Sequence, residues 1–186
     1  NEVKIKKVPE LNDELAIELN YESVADMRAK AEDFLTREKV READGSVRND
    51  LVKALVEKNK FDVPTALIES QTRQLAQDWA GELKRQGLEE SSIQNALTGE
   101  LANIRTRAEM QVRGSLLLEA VATQEKITVS SEQIEDEIVK SAASMQVEVE
   151  KLKEFYTKNP GRREDVEFRL RQEATLKFLT EKAKIK

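Results

Sequence analysis

The sequence predicts an all-α protein built from a few long helices in an elongated body. Three observations indicate this class. Apolar residues recur in steps of three and four along most of the chain, which is the spacing of a helix face. Six glycines and three prolines are too few for an all-β protein with many turns. Charged residues make up 36% of the chain, and a long helical body keeps that much charge in water better than a sphere does.

The start of the chain differs from the rest. NEVKIKKV at 1–8 alternates apolar and charged side chains, a period of two that is typical of a strand. We expect residues 1–10 to be a strand or linker that belongs with a preceding domain. Residues 11–186 are then predicted to form a single helical domain, which begins with a short helix in LNDELAIEL.

A long helix is predicted next. Ser23 and Asp26 have the spacing of an N-cap residue and its acidic partner, so the helix begins there and runs to about Asn59. Asp44-Gly45 lies inside this segment. That pair is a turn signal, and it favours a kink or break in the helix.

KNKFDVPTALIESQ, residues 58–71, places a proline between two helical patterns. Proline costs about 3 kcal/mol inside a helix, but it is tolerated at the first turn because its missing N–H would have no partner there. Pro64 therefore predicts the start of a second helix, which runs to about Gln86. Asp62 precedes it at the positive end of its dipole.

Four further helices follow in the second half of the chain. Ser91-x-x-Gln94 and Ser130-x-x-Gln133 both match the capping box and predict helix starts. The first of these helices is long and reaches about residue 125. A short amphipathic helix is predicted over 148–156. The sequence Asn-Pro-Gly at 159–161 predicts a turn before the last helix.

The residue types exclude most catalytic schemes. The chain has no cysteine and no histidine, which removes thiol and Ser-His nucleophiles, Cys/His zinc sites and imidazole acid–base chemistry. Its isolated glycines do not form a phosphate-binding loop. We therefore predict no catalytic residue, no metal site and no cofactor, and an enzyme is the weakest interpretation.

Charge and hydropathy exclude two classes of partner. Acidic and basic residues are interspersed, with a formal charge of −5, so no basic footprint for nucleic acid is present. The longest apolar run, at residues 116–118, is far below the roughly 20 residues that span a bilayer. We expect neither nucleic acid nor membrane as a partner.

Several segments together resemble a known family. They are NKFDVPTALIESQ, then RGSLLLEAVATQEKITVSSEQIEDEI, then LKEFYTKNP and a closing helix. In order and spacing they resemble the C-terminal domain of the bacterial trigger factor family. The resemblance extends over essentially the whole chain, including NEVKIKKVPELNDELA at its start.

The resemblance implies an elongated helical body with a long linking helix and two projecting arms, related to the cores of periplasmic SurA-type chaperones. The arms form a cradle for unfolded and nascent polypeptides in the cytoplasm. Ribosome docking and prolyl isomerisation belong to other domains of the family, so neither is expected of this chain. The first ten residues would then return from the isomerase domain.

We predict ATP-independent holding of unfolded chains by apolar side chains in a charged cradle. The candidate contacts are Leu97, Leu101, Ile104, Met145, Phe155 and Tyr156. For Met145, Phe155 and Tyr156 the sequence leaves two roles open, local packing and an exposed binding patch. Homodimer formation also stays open.

Two rival interpretations remain at this point. One is a periplasmic chaperone with a similar helical core. The other is a structural coiled-coil scaffold, which predicts a heptad sustained over three or four repeats. The apolar stripes here run in steps of four with interruptions, which favours the chaperone.

Overall fold

The structure, a computed structural model, describes residues 10–183. All regular secondary structure in this range is helical, which confirms the predicted all-α class. The seven helices are α1 (Asp13–Glu18), α2 (Val24–Lys58), α3 (Thr65–Arg85), α4 (Glu90–Gln124), α5 (Ser131–Met145), α6 (Val149–Lys158) and α7 (Pro160–Lys182). The predicted strand at 1–8 lies outside the described residues.

The chain forms two compact units that divide between Val47 and Arg48, inside α2. The first unit contains α1 and the start of α2. The carboxylate of Asp13 accepts a hydrogen bond from the backbone N–H of Val24 at 2.8 Å. This bond links the start of α1 to the first residue of α2.

The predicted start of α2 is confirmed by its hydrogen bonds. Ser23 Oγ accepts from the backbone N–H of Asp26 at 3.2 Å, and the Asp26 carboxylate accepts from the N–H of Glu22 at 3.1 Å. Lys30 Nζ lies 2.8 Å from the same carboxylate. The hydrogen bonds from Lys30 and Glu22 hold the pKa of Asp26 below its ordinary value.

The sequence favoured a kink or a break at Asp44-Gly45. The break is wrong, because α2 continues through this pair as unbroken helix. A glycine inside a helix costs only about 1 kcal/mol relative to alanine. The residues before it, including Glu42 and Ala43, favour helix and carry the segment through.

In the second unit, α3 and α4 form a helical hairpin. Helix α3 begins directly after Pro64, whose extended backbone (φ −56°, ψ 125°) leads into it, as predicted. A short turn joins the two helices, with Gly87 at φ +85°, a conformation that glycine adopts without steric cost. The helices pack along each other. Their buried side chains include Ile68, Ile93, Ile104 and Ala108.

The predicted capping box at Ser91 is wrong. Helix α4 begins one residue earlier, at Glu90, so Ser91 lies inside its first turn. The N-cap residue is Glu89, and its side chain makes no capping hydrogen bond. The second predicted box is confirmed: Ser130 Oγ accepts from the N–H of Gln133 at 3.2 Å, and Gln133 Oε1 accepts from the N–H of Ser130 at 2.8 Å.

The last three helices pack on one another and form the three-helix cluster. Its centre is Ile134 and Ile138 of α5 with Val166 of α7. The predicted turn at 159–161 is wrong, because only Asn159 separates α6 from α7 and Pro160 is already the first helical residue. Proline suits that position since its fixed φ matches a helix and its missing N–H needs no partner there.

Helix α4 also packs against α7. Arg171 of α7 forms an ion pair with Glu119 of α4 at 2.9 Å, and Gln172 Nε2 donates to Ser115 Oγ. The neighbouring Thr175 is fully buried and donates its hydroxyl hydrogen to the carbonyl of Arg171 at 2.7 Å. These contacts join the hairpin to the three-helix cluster through α7.

The connection between α2 and α3 is fixed to α4 by one side chain. Arg113 donates to the carbonyl oxygen of Phe61, and its guanidinium carbon lies 5.5 Å from the centre of the Phe61 ring. Glu109, one turn earlier on α4, accepts from the same guanidinium at 2.7 Å. The sequence around Pro64 gives no sign of this distant partner.

Candidate functional site

The predicted contacts on α4 divide into exposed and buried residues. Leu101 is 53% exposed, and Leu97, one turn before it, is half-buried. Ile104 is only 5% exposed and belongs to the packing between helices. Of the three predicted contacts on α4, the structure therefore leaves Leu97 and Leu101 within reach of another molecule.

Beside these residues a groove of about 540 Å³ lies between α3 and α4; we call it the hairpin groove. Its apolar lining is Leu75, Trp79 and Ile104, and its polar lining is Asp78, Glu82, Arg85, Glu100, Asn103 and Arg107. Trp79 is half-buried and lines this groove. Leu75, Trp79 and Leu83 are four residues apart in the sequence, which places them on one face of a helix. This spacing does not show how much of that face the partner helix covers.

One carboxylate of the hairpin groove, that of Glu82, pairs with a neighbouring cation. Arg85 Nη2 lies 2.6 Å from Glu82 Oε2. The hydrogen bond from Arg85, together with one from Gln86, lowers the pKa of Glu82 below its ordinary value. Glu82 therefore stays ionised at neutral pH, and the groove combines an apolar floor with a charged rim.

The other three predicted contacts lie on α5 and α6. Met145, the last residue of α5, is 67% exposed, and Phe155 of α6 is 48% exposed. Tyr156 is half-buried and packs against the centre of the three-helix cluster. The rings of Phe155 and Tyr156 meet edge to face, with their centres 5.6 Å apart. Met145 and Phe155 are thus accessible, whereas Tyr156 is partly covered by the centre of the cluster.

Ion pairs connect the three helices of this cluster. Glu135 of α5 lies 2.7 Å from Arg163 of α7 and 3.4 Å from Lys153 of α6. The hydrogen bond from Arg163 is the main cause that lowers the pKa of Glu135. Glu137 pairs with Arg169 at 2.8 Å, which raises the pKa of that guanidinium. These pairs join α5 to both α6 and α7, so the helices that carry Met145 and Phe155 have charged as well as apolar surfaces.

The predicted residues form two groups on different helices. Helix α4 packs on α3 and α7, whereas α5 and α6 pack on each other and on α7. Leu97 and Leu101 thus belong to the hairpin, and Met145, Phe155 and Tyr156 belong to the three-helix cluster. Helix α7 contacts both.

The sequence interpretation missed a further apolar surface in the first unit. Phe34, Leu35 and Val40 of α2 are each more than half exposed. Leu35 and Val40 also line a shallow groove of about 650 Å³ that runs along α2. The apolar periodicity of α2 was visible in the sequence, but it did not reveal which side chains would remain exposed.

Among residues 10–183, no three acidic side chains come together in a way that could hold a metal ion. None of the helices in this range combines the length and the apolar character that crossing a membrane requires.

Comparison with known proteins identifies the family. The model of the bacterial trigger factor protein (TF) C-terminus matches residues 23–181. The chain belongs to the trigger factor family. This confirms the resemblance that the sequence segments indicated, over nearly the whole chain.

Two relatives of this chain, similar to it in sequence, are trigger factors. The chain is 34% identical over 185 residues to the trigger factor of Geotalea uraniireducens and 36% identical over 193 residues to that of Lysinibacillus sphaericus. Each alignment covers 99% of this chain and 43% of the relative. The chain therefore spans less than half the length of the curated relatives it matches.

Solved trigger factor structures share the fold at low sequence identity. A chain from work on trigger factor domains of Thermotoga maritima matches with a TM-score of 0.57 and 18% identity, covering 75% of this chain and 83% of that one. A second chain, described with promiscuous substrate recognition by the trigger factor chaperone in folding and assembly, matches with a TM-score of 0.54 and 18% identity. That match covers 95% of this chain and 43% of the other.

Proposed function

We propose that the chain is an ATP-independent chaperone domain that holds unfolded or nascent polypeptides and limits their aggregation in the cytoplasm. The observation that carries the proposal is the exposure of large apolar side chains among charged ones on two separate groups of helices. Trigger factor membership supports it. Ribosome docking and prolyl isomerisation, which the resemblance assigns to other domains, are not part of the proposal.

The proposed contacts are Leu97 and Leu101 of the hairpin with Met145 and Phe155 of the three-helix cluster. Each covers an apolar side chain of the client and contributes about 1 to 2 kcal/mol. Affinity then depends on several weak contacts made by one client chain at the same time. Ile104 and Tyr156 are left out of the proposed contacts, because Ile104 is buried and Tyr156 packs against the centre of the three-helix cluster.

Light scattering tests the proposal. A chemically denatured model protein is diluted into nucleotide-free buffer with or without an equal concentration of the chain. We expect the chain to suppress scattering, and we expect the triple variant Leu101→Ala, Met145→Ala, Phe155→Ala to lose most of that effect. Because all three side chains are exposed, the melting temperature should stay near that of the original chain.

A control variant changes charged residues on α6, the short helix that carries Phe155. Lys151→Ala with Lys158→Ala alters two exposed side chains of α6 and leaves the apolar ones in place. This variant should suppress scattering as well as the original chain does. Failure of the folded original chain to suppress scattering would overturn the proposal and favour a structural scaffold.

A further inference from the structure

A second groove in the larger unit carries no charge. It has a volume of about 570 Å³ and lies among α2, α3, α4 and α7. Its lining residues are Val52, Leu67, Ser70, Gln71, Gln111, Val112, Ser115, Leu116 and Gln172. Charged residues form 36% of the chain, yet none lines this groove, which we call the neutral groove.

The neutral groove has an apolar floor and hydrogen-bonding sides. Leu67 and Leu116 are large apolar side chains that remain exposed in it. On one side, Gln71 Nε2 donates to Gln111 Oε1 at 2.9 Å. On the other, Gln172 Nε2 donates to Ser115 Oγ. These bonds join α3 to α4 and α7 to α4, so they hold the amide groups in fixed positions.

Each of these polar groups can make more hydrogen bonds than the one that fixes it. A glutamine amide has two N–H donors and an oxygen with two lone pairs, and a serine hydroxyl both donates and accepts. The bond between Gln71 and Gln111 uses one donor and one lone pair. Donors and acceptors therefore remain for a ligand on both sides of the groove.

We infer that the neutral groove binds an extended, uncharged segment of an unfolded polypeptide. This inference rests on the proposed function and names a subsite for it. A polypeptide backbone is neutral and offers one donor and one acceptor at nearly every residue, which matches Gln71, Gln111, Ser115 and Gln172. Apolar side chains of the segment lie on the leucine floor.

The absence of charge in the lining also determines which polypeptide segments the neutral groove binds. A charged side chain that entered the groove would lose hydration without gaining an opposite charge, which is costly. The polar groups of the groove contact the client backbone, which has the same donors and acceptors at nearly every residue. Recognition therefore depends little on the client's amino-acid sequence. The groove thus accepts many segments and rejects those that are rich in Lys, Arg, Asp or Glu.

Fluorescence anisotropy tests this with a blocked ten-residue peptide of Leu, Ala, Asn and Thr and a second peptide that carries one central Lys. The test variant is Gln71→Glu with Gln172→Glu. In the original chain Gln71 and Gln172 donate to Gln111 and Ser115. A carboxylate only accepts, but the amide N–H of Gln111 and the hydroxyl of Ser115 can turn to donate to it, so the helix contacts survive with reversed direction. We expect the uncharged peptide to bind about tenfold more weakly to this variant, and the Lys peptide to lose less or to gain.

The matched control is Gln77→Glu with Gln94→Glu, which adds the same charge at two exposed glutamines outside the groove. It should bind the uncharged peptide as the original chain does. Equal weakening by both variants would overturn the inference, because the effect would then come from net charge.

Disulfide trapping locates the peptide independently. The chain has no cysteine, so one can be placed at will. Ser70→Cys lies in the neutral groove, and Ser92→Cys lies on α4 outside it. A cysteine-bearing version of the uncharged peptide should be trapped at least several-fold faster by the first variant, and equal rates would overturn the inference.

The two proposals fail in different ways. In one case the original chain suppresses aggregation, but the Gln71→Glu, Gln172→Glu variant binds the uncharged peptide with the same affinity as the original chain. The neutral groove is then not a subsite, and the chaperone proposal stands. If the original chain neither suppresses aggregation nor binds the peptide, the chaperone proposal fails and the subsite fails with it.

Discussion

At the scale of single residues, Gly114 lets α2 approach α4. Gly114 is buried, and a Cβ built on it would lie 2.6 Å from Val52 Cγ1. Real Cβ atoms essentially never approach other atoms so closely. Val52 is β-branched and has little freedom to turn away, so only glycine fits at this crossing without a shift of the helices.

We predict that Gly114→Ala lowers the free energy of unfolding by about 1 to 2 kcal/mol. The overlap with Val52 costs about 1 to 3 kcal/mol, and the higher helix propensity of alanine offsets up to about 1 kcal/mol. Urea unfolding followed by circular dichroism measures the change. Gly99→Ala is the matched control, because it lies in the same helix with nothing within 4 Å of its Cβ, and it should stabilise.

A second substitution checks the cause. Val52→Ala removes the atoms that Gly114→Ala would meet, so the double variant should lose less stability than the sum of the single losses. Gly114→Ala and Gly99→Ala with equal stability would contradict the close approach.

Residue-scale burial was the least predictable part of the candidate site. Leu101 and Ile104 lie three residues apart on α4 and are both large and aliphatic, yet Leu101 is half exposed and Ile104 is buried. Periodicity places both near one helix face. Which of them is covered depends on the position of α3, and that position is not encoded locally.

At the scale of helices, two identical sequence patterns have different outcomes. Ser91-x-x-Gln94 and Ser130-x-x-Gln133 both match the capping box, but only the second forms one. Ser130 follows an extended segment, where the backbone can take the N-cap conformation (φ −78°, ψ 156°). Ser91 follows Glu90, which favours helix and is already the first residue of α4, so Ser91 lies in the first turn of the helix.

We predict that this difference appears in stability. Ser130→Ala removes the oxygen that accepts from the N–H of Gln133, and it should lower the free energy of unfolding by about 1 kcal/mol. Ser91→Ala should be neutral or slightly stabilising, because alanine has the higher helix propensity. Ser130→Thr keeps the acceptor and should recover most of the loss. Equal destabilisation at both serines in urea unfolding would show that the Ser130 cap contributes nothing.

Helix starts and ends were mostly predictable, and breaks inside helices were not. Pro64 indicated its helix start because proline is excluded from helix interiors but not from their first turn. Gly45 only weakens a helix, and the favourable residues around it outweigh that cost. Proline is therefore the more reliable boundary signal in this chain, and even Pro160 opens a helix rather than a turn.

At the scale of the whole molecule, the all-α class followed from apolar periodicity and from the scarcity of glycine and proline. The family followed from the order and spacing of several segments rather than from one motif. The neutral groove could not be predicted, because it joins residues from four helices that are up to 120 positions apart in the chain.

The small buried interior leads to a last prediction. Among residues 10–183 only twelve apolar residues are buried, and four of these are alanine. A protein that offers apolar side chains to clients cannot also bury them. Since the dependence of unfolding free energy on urea scales with the surface exposed on unfolding, its slope, the m-value, should be small. We expect the m-values of all transitions to sum to less than that of a compact protein of 186 residues measured alongside. A sum that equals the compact control would mean that the exposed leucine, methionine and phenylalanine side chains are covered in solution, and the proposed client contacts would then be unavailable.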